Sequence, residues 1–238
     1  MRAVPERALD RMNTTLTPPR EFVEFLLESG VLSFGDFQTK SGRRTPYFLD
    51  FARLSRGSQV RRLGSFYAQA IRARLGQDFD VLFGPAYKGI PLVVASALAF
   101  ASEHERDVSF CFNRKEAKDH GEGGRLVGHA PKDGERVVIV EDVTTAGTSI
   151  RETVPLLRAA AAVRLAGLVV AVDRQERGTG ERSALRELEA EFGMPCFAIA
   201  TIDEIVASLA GETRPGRARL DADQLERIRE YRARYGGR

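Results

Sequence analysis

The sequence predicts an α/β fold: one doubly wound, mostly parallel sheet with a small N-terminal cap. Two observations carry this reading. After Pro19, helix-period segments alternate with short strand-length runs, the pattern of βαβ units with right-handed crossovers. The strand runs DVLFG, RVVIVE and LAGLVVAV are almost wholly apolar, as in strands covered on both faces. With 238 residues, 43% of them apolar, the chain can bury one substantial core without disulfide or metal staples.

The elements follow in order. Phe22, Phe25, Leu26 and Leu27 form a helical stripe ending at Gly30. Residues 31–51 mix short apolar runs with turn residues, including Ser41-Gly42 and Pro46, and predict short strands. Leu63, Phe66, Tyr67, Ala70, Ile71 and Leu75 recur at helical spacing, with Gly76 as a cap. A strand over Asp80–Gly84, a helix over Ile90–Ala101 and a strand over Val108–Phe112 follow. A long polar stretch without apolar period then leads to a strand over Arg136–Glu141. A helix over Ile150–Ala162, a strand over Leu165–Val172, a helix over Glu181–Phe192 and a strand over Cys196–Thr201 complete the core, and Leu220–Tyr231 predicts a last amphipathic helix. The expected organisation is a polar extension over 1–19 and a single domain over 20–238. Within it, 20–56 is the cap, 57–212 the α/β core and 213–238 the C-terminal helix.

Composition excludes several classes. Lys plus Arg is 36 against 33 for Asp plus Glu, a net charge of +3; this balance is not that of a nucleic-acid coat, and neither extension carries a helix-turn-helix. No apolar run reaches the ~18 residues of a membrane span. Cys111 and Cys196 lie far apart in apolar stretches, which suits buried thiols in a reducing cytoplasm rather than a zinc knuckle or disulfide framework. The N-terminus has arginines but no apolar segment, so a secretory signal is not expected.

The most informative stretch is VVIVEDVTTAGTSI, residues 137–150. A buried strand delivers Glu141 and Asp142 to its carboxyl end, where ligands bind in open α/β sheets. Val143, Thr144, Thr145, Ala146, Gly147, Thr148 and Ser149 then form a small-residue turn into a helix. Consecutive N–H groups of such a turn can face one phosphate, with the helix dipole behind them and the threonine and serine hydroxyls as further donors. Adjacent carboxylates suit a ribose diol. The bland alternative is a helix N-cap after a strand. GPAYKGIP, at 84–91, has Ile-Pro where a P-loop needs Lys-Ser/Thr, and GTGERS after Arg177 lacks the third glycine of a dinucleotide fingerprint.

VVIVEDVTTAGTS resembles the signature of the type I phosphoribosyltransferases. TKSGRRTPYFLDF, LFGPAYKGIPL, CFNRKEAKDHGEGG and VDRQERG extend the resemblance to the orotate branch, over residues 39–178. Glu141 stands where some members carry Asp. The resemblance implies a 5-phosphoribosyl 1-diphosphate site and Mg²⁺ held mainly by the substrate, with no protein metal cage. It also implies a homodimer whose loop over 113–130 closes on the neighbouring subunit's site. On that loop lie Arg114, Lys115, Lys118 and His120; Lys118 matches the catalytic lysine, and Asp142 is the other expected catalytic residue. Tyr87 and Lys88 match the pyrophosphate-binding loop, and Lys40 a lysine that reaches the pyrophosphate. Phe48 and Leu49 match positions against the orotate ring, Arg174 the arginine holding the orotate carboxylate, and Thr145 would face both phosphate and base. Each has a plainer alternative: a solvated charge run for the loop, strand core for Phe48 and Leu49, and a surface salt bridge with Asp173 or Glu176 for Arg174. Implied partners are small molecules, with neither nucleic acid nor membrane among them.

Overall fold

The computed structural model describes residues 20–39, 42–116, 125–210 and 220–237; the extension over 1–19 lies outside them. The chain opens with α1 (Arg20–Glu28), β1 (Leu32–Gln38), β2 (Arg44–Leu49) and a 3-10 turn at Phe51–Arg53. The two strands pair antiparallel as a separate two-stranded sheet. It lies in the stretch read as the cap. The core then runs α2 (Gly57–Leu75), β3 (Val81–Gly84), α3 (Gly89–Glu103), β4 (Ser109–Asn113), β5 (Leu126–Gly128) and β6 (Arg136–Glu141). It continues through α4 (Thr148–Ala160), β7 (Arg164–Asp173), α5 (Ala184–Phe192), β8 (Cys196–Thr201), α6 (Ile202–Ala210) and α7 (Ala222–Tyr235).

Six strands form one sheet in the order β5-β4-β3-β6-β7-β8, parallel except for β5, which runs antiparallel to β4. The pleat sends successive side chains to opposite faces, and this sorts the apolar runs into two cores. Leu82, Val138, Val140, Val169 and Ala171 face one way, with Leu63, Tyr67 and Ile71 of α2, Val93 and Phe100 of α3, the cap, α6 and α7. Val81, Phe83, Val137, Ile139, Leu168 and Val170 face the other, against Ile150, Val154 and Leu157 of α4 and Leu185 and Leu188 of α5. The doubly wound reading therefore holds, and the continuous apolar strands are those buried on both faces.

Three expectations change. The polar stretch after β4 contains β5, because Leu126–Gly128 pairs with the edge of β4; three residues carry no period to read. A further helix, α6, follows β8 without a break. Its start was marked by a capping box, in which the Thr201 N–H donates to Glu204 Oε2 at 2.7 Å and the Glu204 N–H to Thr201 Oγ1 at 3.2 Å. Third, α5 begins at Ala184 and not Glu181, since Ser183 caps it by accepting from the Arg186 N–H. Among the described residues no helix is long and apolar enough to cross a membrane.

Candidate active site

Strand order reverses between β3 and β6: from β3 the chain steps to β4 on one side, then returns to place β6 on the other. The crevice beyond the carboxyl ends at such a switch point is where open α/β sheets bind ligands. Two loops rise there, Pro85–Lys88 after β3 and Asp142–Gly147 after β6. Lys88 Nζ donates to Asp142 Oδ2 at 2.8 Å across the crevice. The lysine side chain is 57% exposed and the aspartate 5%, so an exposed cation caps a sheltered anion.

The loop after β6 has the anatomy of an anion cradle. Gly147 adopts φ +74° at the helix N-cap, a conformation that penalises a side chain, and a Cβ there would also press on Leu188 and Arg151. Its carbonyl accepts from the N–H groups of Ile150 and Arg151 at 3.1 and 3.0 Å, starting α4. The earliest N–H groups of a helix have no intrahelical acceptor, and those of Thr148 and Ser149 find none elsewhere among the described residues. Thr145, Ala146, Thr148 and Ser149 are exposed. Arg151 fixes the turn from behind, donating through Nη1 to the Ala146 carbonyl and through Nε to Glu191 Oε2 at 2.8 Å.

The acidic pair is unequal. Glu141 is 7% exposed, and its two oxygens accept from the Asp142 N–H at 3.2 Å and Ser149 Oγ at 2.8 Å. Burial first, then the neighbouring Asp142 charge, pushes its carboxyl up from 4.5 to about 7. Asp142 accepts its own loop's Val143 N–H and the Lys88 ammonium, each at 2.8 Å. Asp142 is thus covered by one exposed lysine, whereas Glu141 is committed to the loop. Behind them, the Tyr67 hydroxyl donates to the Glu141 carbonyl at 2.6 Å.

On the other side of the crevice, Gly84 and Gly89 pack so closely that a Cβ on either would strike the other's backbone, which draws Pro85–Lys88 into a tight turn. Its Ala86-Tyr87 peptide is cis. The Ala86 N–H donates to Asn113 Oδ1 at 2.8 Å, tying this turn to the end of β4. Tyr87 is 61% exposed, with Lys115 Nζ 5.5 Å from its ring centroid. The Arg114 N–H donates to the Arg125 carbonyl at 2.8 Å, which continues the pairing of β4 with β5 by one residue. Lys118 and His120, between these two arginines in sequence, and Lys40 lie outside the described residues.

Arg174, next after β7, is 6% exposed. Its Nε and Nη2 donate to Glu176 Oε1 at 2.9 and 2.6 Å, and its guanidinium lies 5.0 Å from the Tyr47 ring centroid. The alternative of a surface salt bridge named a correct partner in Glu176 but the wrong environment, since both groups are buried. Phe48 is half-buried and stacks on Phe37 at 5.6 Å. Leu49 lies on the opposite face of β2 with Tyr47, inside the core; strand core describes it better than contact with a ring. GTGERS also has an explanation. Glu187 accepts from the Thr179 and Gly180 N–H groups at 2.9 and 2.6 Å, so that glycine turn is filled by the chain's own carboxylate. Sequence reasoning missed Tyr47, Tyr231, Arg151 and Asn113, because their partners are mostly distant in sequence.

The model of the phosphoribosyl transferase domain family matches residues 54–192. The orotate phosphoribosyltransferase of Lachnoclostridium phytofermentans is 51% identical over 217 residues, 91% of this chain and 96% of that one. The chain belongs to the orotate phosphoribosyltransferases. The enzyme of that name from Thioalkalivibrio sulfidiphilus is 53% identical over 216 residues, covering 91% of this chain and 97% of its own. The crystal structure of the Francisella tularensis orotate phosphoribosyltransferase superposes with a TM-score of 0.79 at 34% identity, covering 91% of this chain and 100% of that one. The stretch that carries the family resemblance, 137–149, runs from β6 through the Asp142–Gly147 loop at the switch-point crevice into the first turn of α4.

Proposed function

We propose that the chain transfers the ribose 5-phosphate group of 5-phosphoribosyl 1-diphosphate to orotate, giving orotidine 5'-monophosphate and pyrophosphate in pyrimidine (UMP) synthesis. The observation that carries this reading is the crevice between two anion-suited loops, spanned by the Lys88–Asp142 pair. The 5-phosphate would seat on the N–H groups and hydroxyls of Thr144–Ser149, and the ribose hydroxyls would replace Lys88 on Asp142. Lys88, so released, would turn to the diphosphate together with the Tyr87 turn, Arg114, Lys115 and Lys40. One internal ion pair would thus be exchanged for hydroxyl hydrogen bonds to Asp142 and a charge-matched contact between Lys88 and the diphosphate.

Magnesium would be held mainly by the substrate's own oxygens, the hard ligands it prefers, and would supply further neutralisation of the diphosphate charge. Among the described residues no group of three or more His, Cys, Asp or Glu is arranged to hold a metal. On the base side Arg174 would hold the orotate carboxylate in a two-pronged contact, with Phe48 against the ring and Thr145 between base and phosphate. The orotate ring nitrogen attacks the anomeric carbon as the C–O bond to diphosphate breaks through an oxocarbenium-like transition state; the ring N–H proton leaves with the diphosphate, and Lys118 neutralises that leaving group. The protein contributes positioning and fixed charge. We place Lys118 on the neighbouring subunit's site in a cytoplasmic homodimer; the free thiols Cys111 and Cys196 suit a reducing compartment.

A spectrophotometric assay of orotate consumption with the sugar diphosphate and Mg²⁺ tests the reading, with adenine, hypoxanthine and uracil as competitors. Turnover of orotate alone is expected. Comparable turnover of uracil or a purine would overturn it.

A further inference from the structure

Glu176 carries more than one arginine needs. Its Oε1 accepts four hydrogen bonds: two from Arg174, one from the Tyr47 hydroxyl at 3.0 Å and one from the Tyr231 hydroxyl at 2.9 Å. Its Oε2 has no hydrogen-bond partner and faces Arg43 Nη2 at 3.4 Å. Three distant segments therefore converge on a carboxylate that is 4% exposed: β2 of the cap, the turn after β7, and the C-terminal helix. That helix grips the turn's backbone as well. Arg232 Nη1 donates to the carbonyls of Arg174 and Gln175 at 3.2 and 2.6 Å, and the Arg177 N–H donates to the Tyr235 carbonyl at 3.0 Å. Arg43 lies over the Tyr235 ring at 4.9 Å, closing the circle from cap to C-terminus.

The geometry bears on how Arg174 meets a ligand. A guanidinium has two forked edges. Glu176 takes the Nε–Nη2 edge, the Tyr47 ring covers one face, and the edge that can meet a second carboxylate is Nη1–Nη2. Arg174 and Arg43 against Glu176 leave a charge of one positive unit, with Tyr47 and Tyr231 neutral. That is the complement of a single carboxylate, and a buried cation held ready in this way need not reorganise when the ligand arrives.

We propose that Glu176, clasped by the hydroxyls of Tyr47 and Tyr231, is the positioning residue that presents Arg174 to the base carboxylate. The C-terminal helix is thereby part of the base-specificity apparatus. This rests on the reading of Arg174 as the carboxylate contact, and the test separates the two.

Orotidine 5'-monophosphate and uridine 5'-monophosphate differ only by that carboxylate, so the ratio of their dissociation constants, measured by calorimetry on the full chain, reports the contact alone. Glu176→Gln is expected to narrow the ratio about tenfold, with uridine monophosphate affinity nearly unchanged, since a hydrogen bond to a charged group is of that worth. Tyr231→Phe, which removes one hydroxyl, is expected to narrow it by a smaller factor and carries the test if Glu176→Gln does not fold. Equal weakening of both nucleotides, or an unchanged ratio in the variants that fold, would overturn the proposal and leave Glu176 as scaffold. Arg174→Gln is the control: if it too leaves the ratio unchanged, the reading of Arg174 itself fails.

Discussion

The phosphate loop and the base pocket stand at the ends of neighbouring strands, β6 and β7, yet they hold their polar groups in opposite ways. After β6, the N–H groups of Thr148 and Ser149 have no acceptor among the described residues, and Thr145, Ala146, Thr148 and Ser149 are exposed. After β7, Arg174 is buried and already paired with Glu176, against a tyrosine ring. An open cradle suits a dianion, whose own charge is large enough to organise exposed donors. A single carboxylate on a flat ring offers less charge, and under the proposed function its partner, Arg174, would be fixed beforehand by the fold.

That contrast makes the largest expected effect one that comes from neither half. Lys118→Ala removes the charge brought to the leaving group, and turnover should fall by about a hundredfold or more with a smaller change in KM for the sugar diphosphate. Steady-state kinetics decide this; equal losses in both parameters would contradict the role. Asp142→Asn comes next. It removes the charge paired with Lys88 and replaces one of the two carboxylate acceptors proposed for the ribose hydroxyls by an amide donor, so calorimetry should show sugar diphosphate binding weakened about tenfold. Unchanged affinity would take Asp142 out of the site. Mixing the Lys118→Ala and Asp142→Asn proteins should restore part of the activity, because a mixed dimer holds one site with neither change. Failure to recover any would point to a site complete within one chain.

The smallest effect concerns Glu141, the carboxylate committed to the loop. Its carboxyl is raised by burial from 4.5 to about 7 in the folded chain, so the folded state favours the protonated form. Its contribution to stability is then fully present below 4.5 and is lost as pH rises through 7. Glu141→Gln keeps the neutral shape, so thermal unfolding should show the variant gaining on the wild type between pH 5 and 8, by about 1–3 kcal/mol. A constant difference across that range would mean that Glu141 is ionised throughout.

The same contrast explains what the sequence showed. The strand, the acidic pair and the TTAGTS turn are contiguous, so a backbone motif could be read directly, as could the apolar runs that form the sheet. The base pocket joins Tyr47, Arg174, Glu176 and Tyr231 across 129 and 55 residues of separation, and no local pattern marks such a meeting. Arg174 was found by resemblance and Glu176 only as one of two alternative salt-bridge partners; the two tyrosines that clasp it carried no signal. Likewise β5 exists only through its pairing with β4, whereas α6 had a legible capping box that went unread. The unequal roles of Glu141 and Asp142 depend on where Ser149 and Lys88 point, which adjacency alone does not tell.

The central claim is that Asp142 and the turn after it grip a phosphorylated pentose by displacing Lys88. A crystal structure with ribose 5-phosphate bound tests it most directly. The account predicts phosphate oxygens on the N–H groups between Thr145 and Ser149, ribose hydroxyls on Asp142, and Lys88 moved off the aspartate. A crevice left empty at saturating ligand, with the 2.8 Å Lys88–Asp142 contact intact, would contradict it.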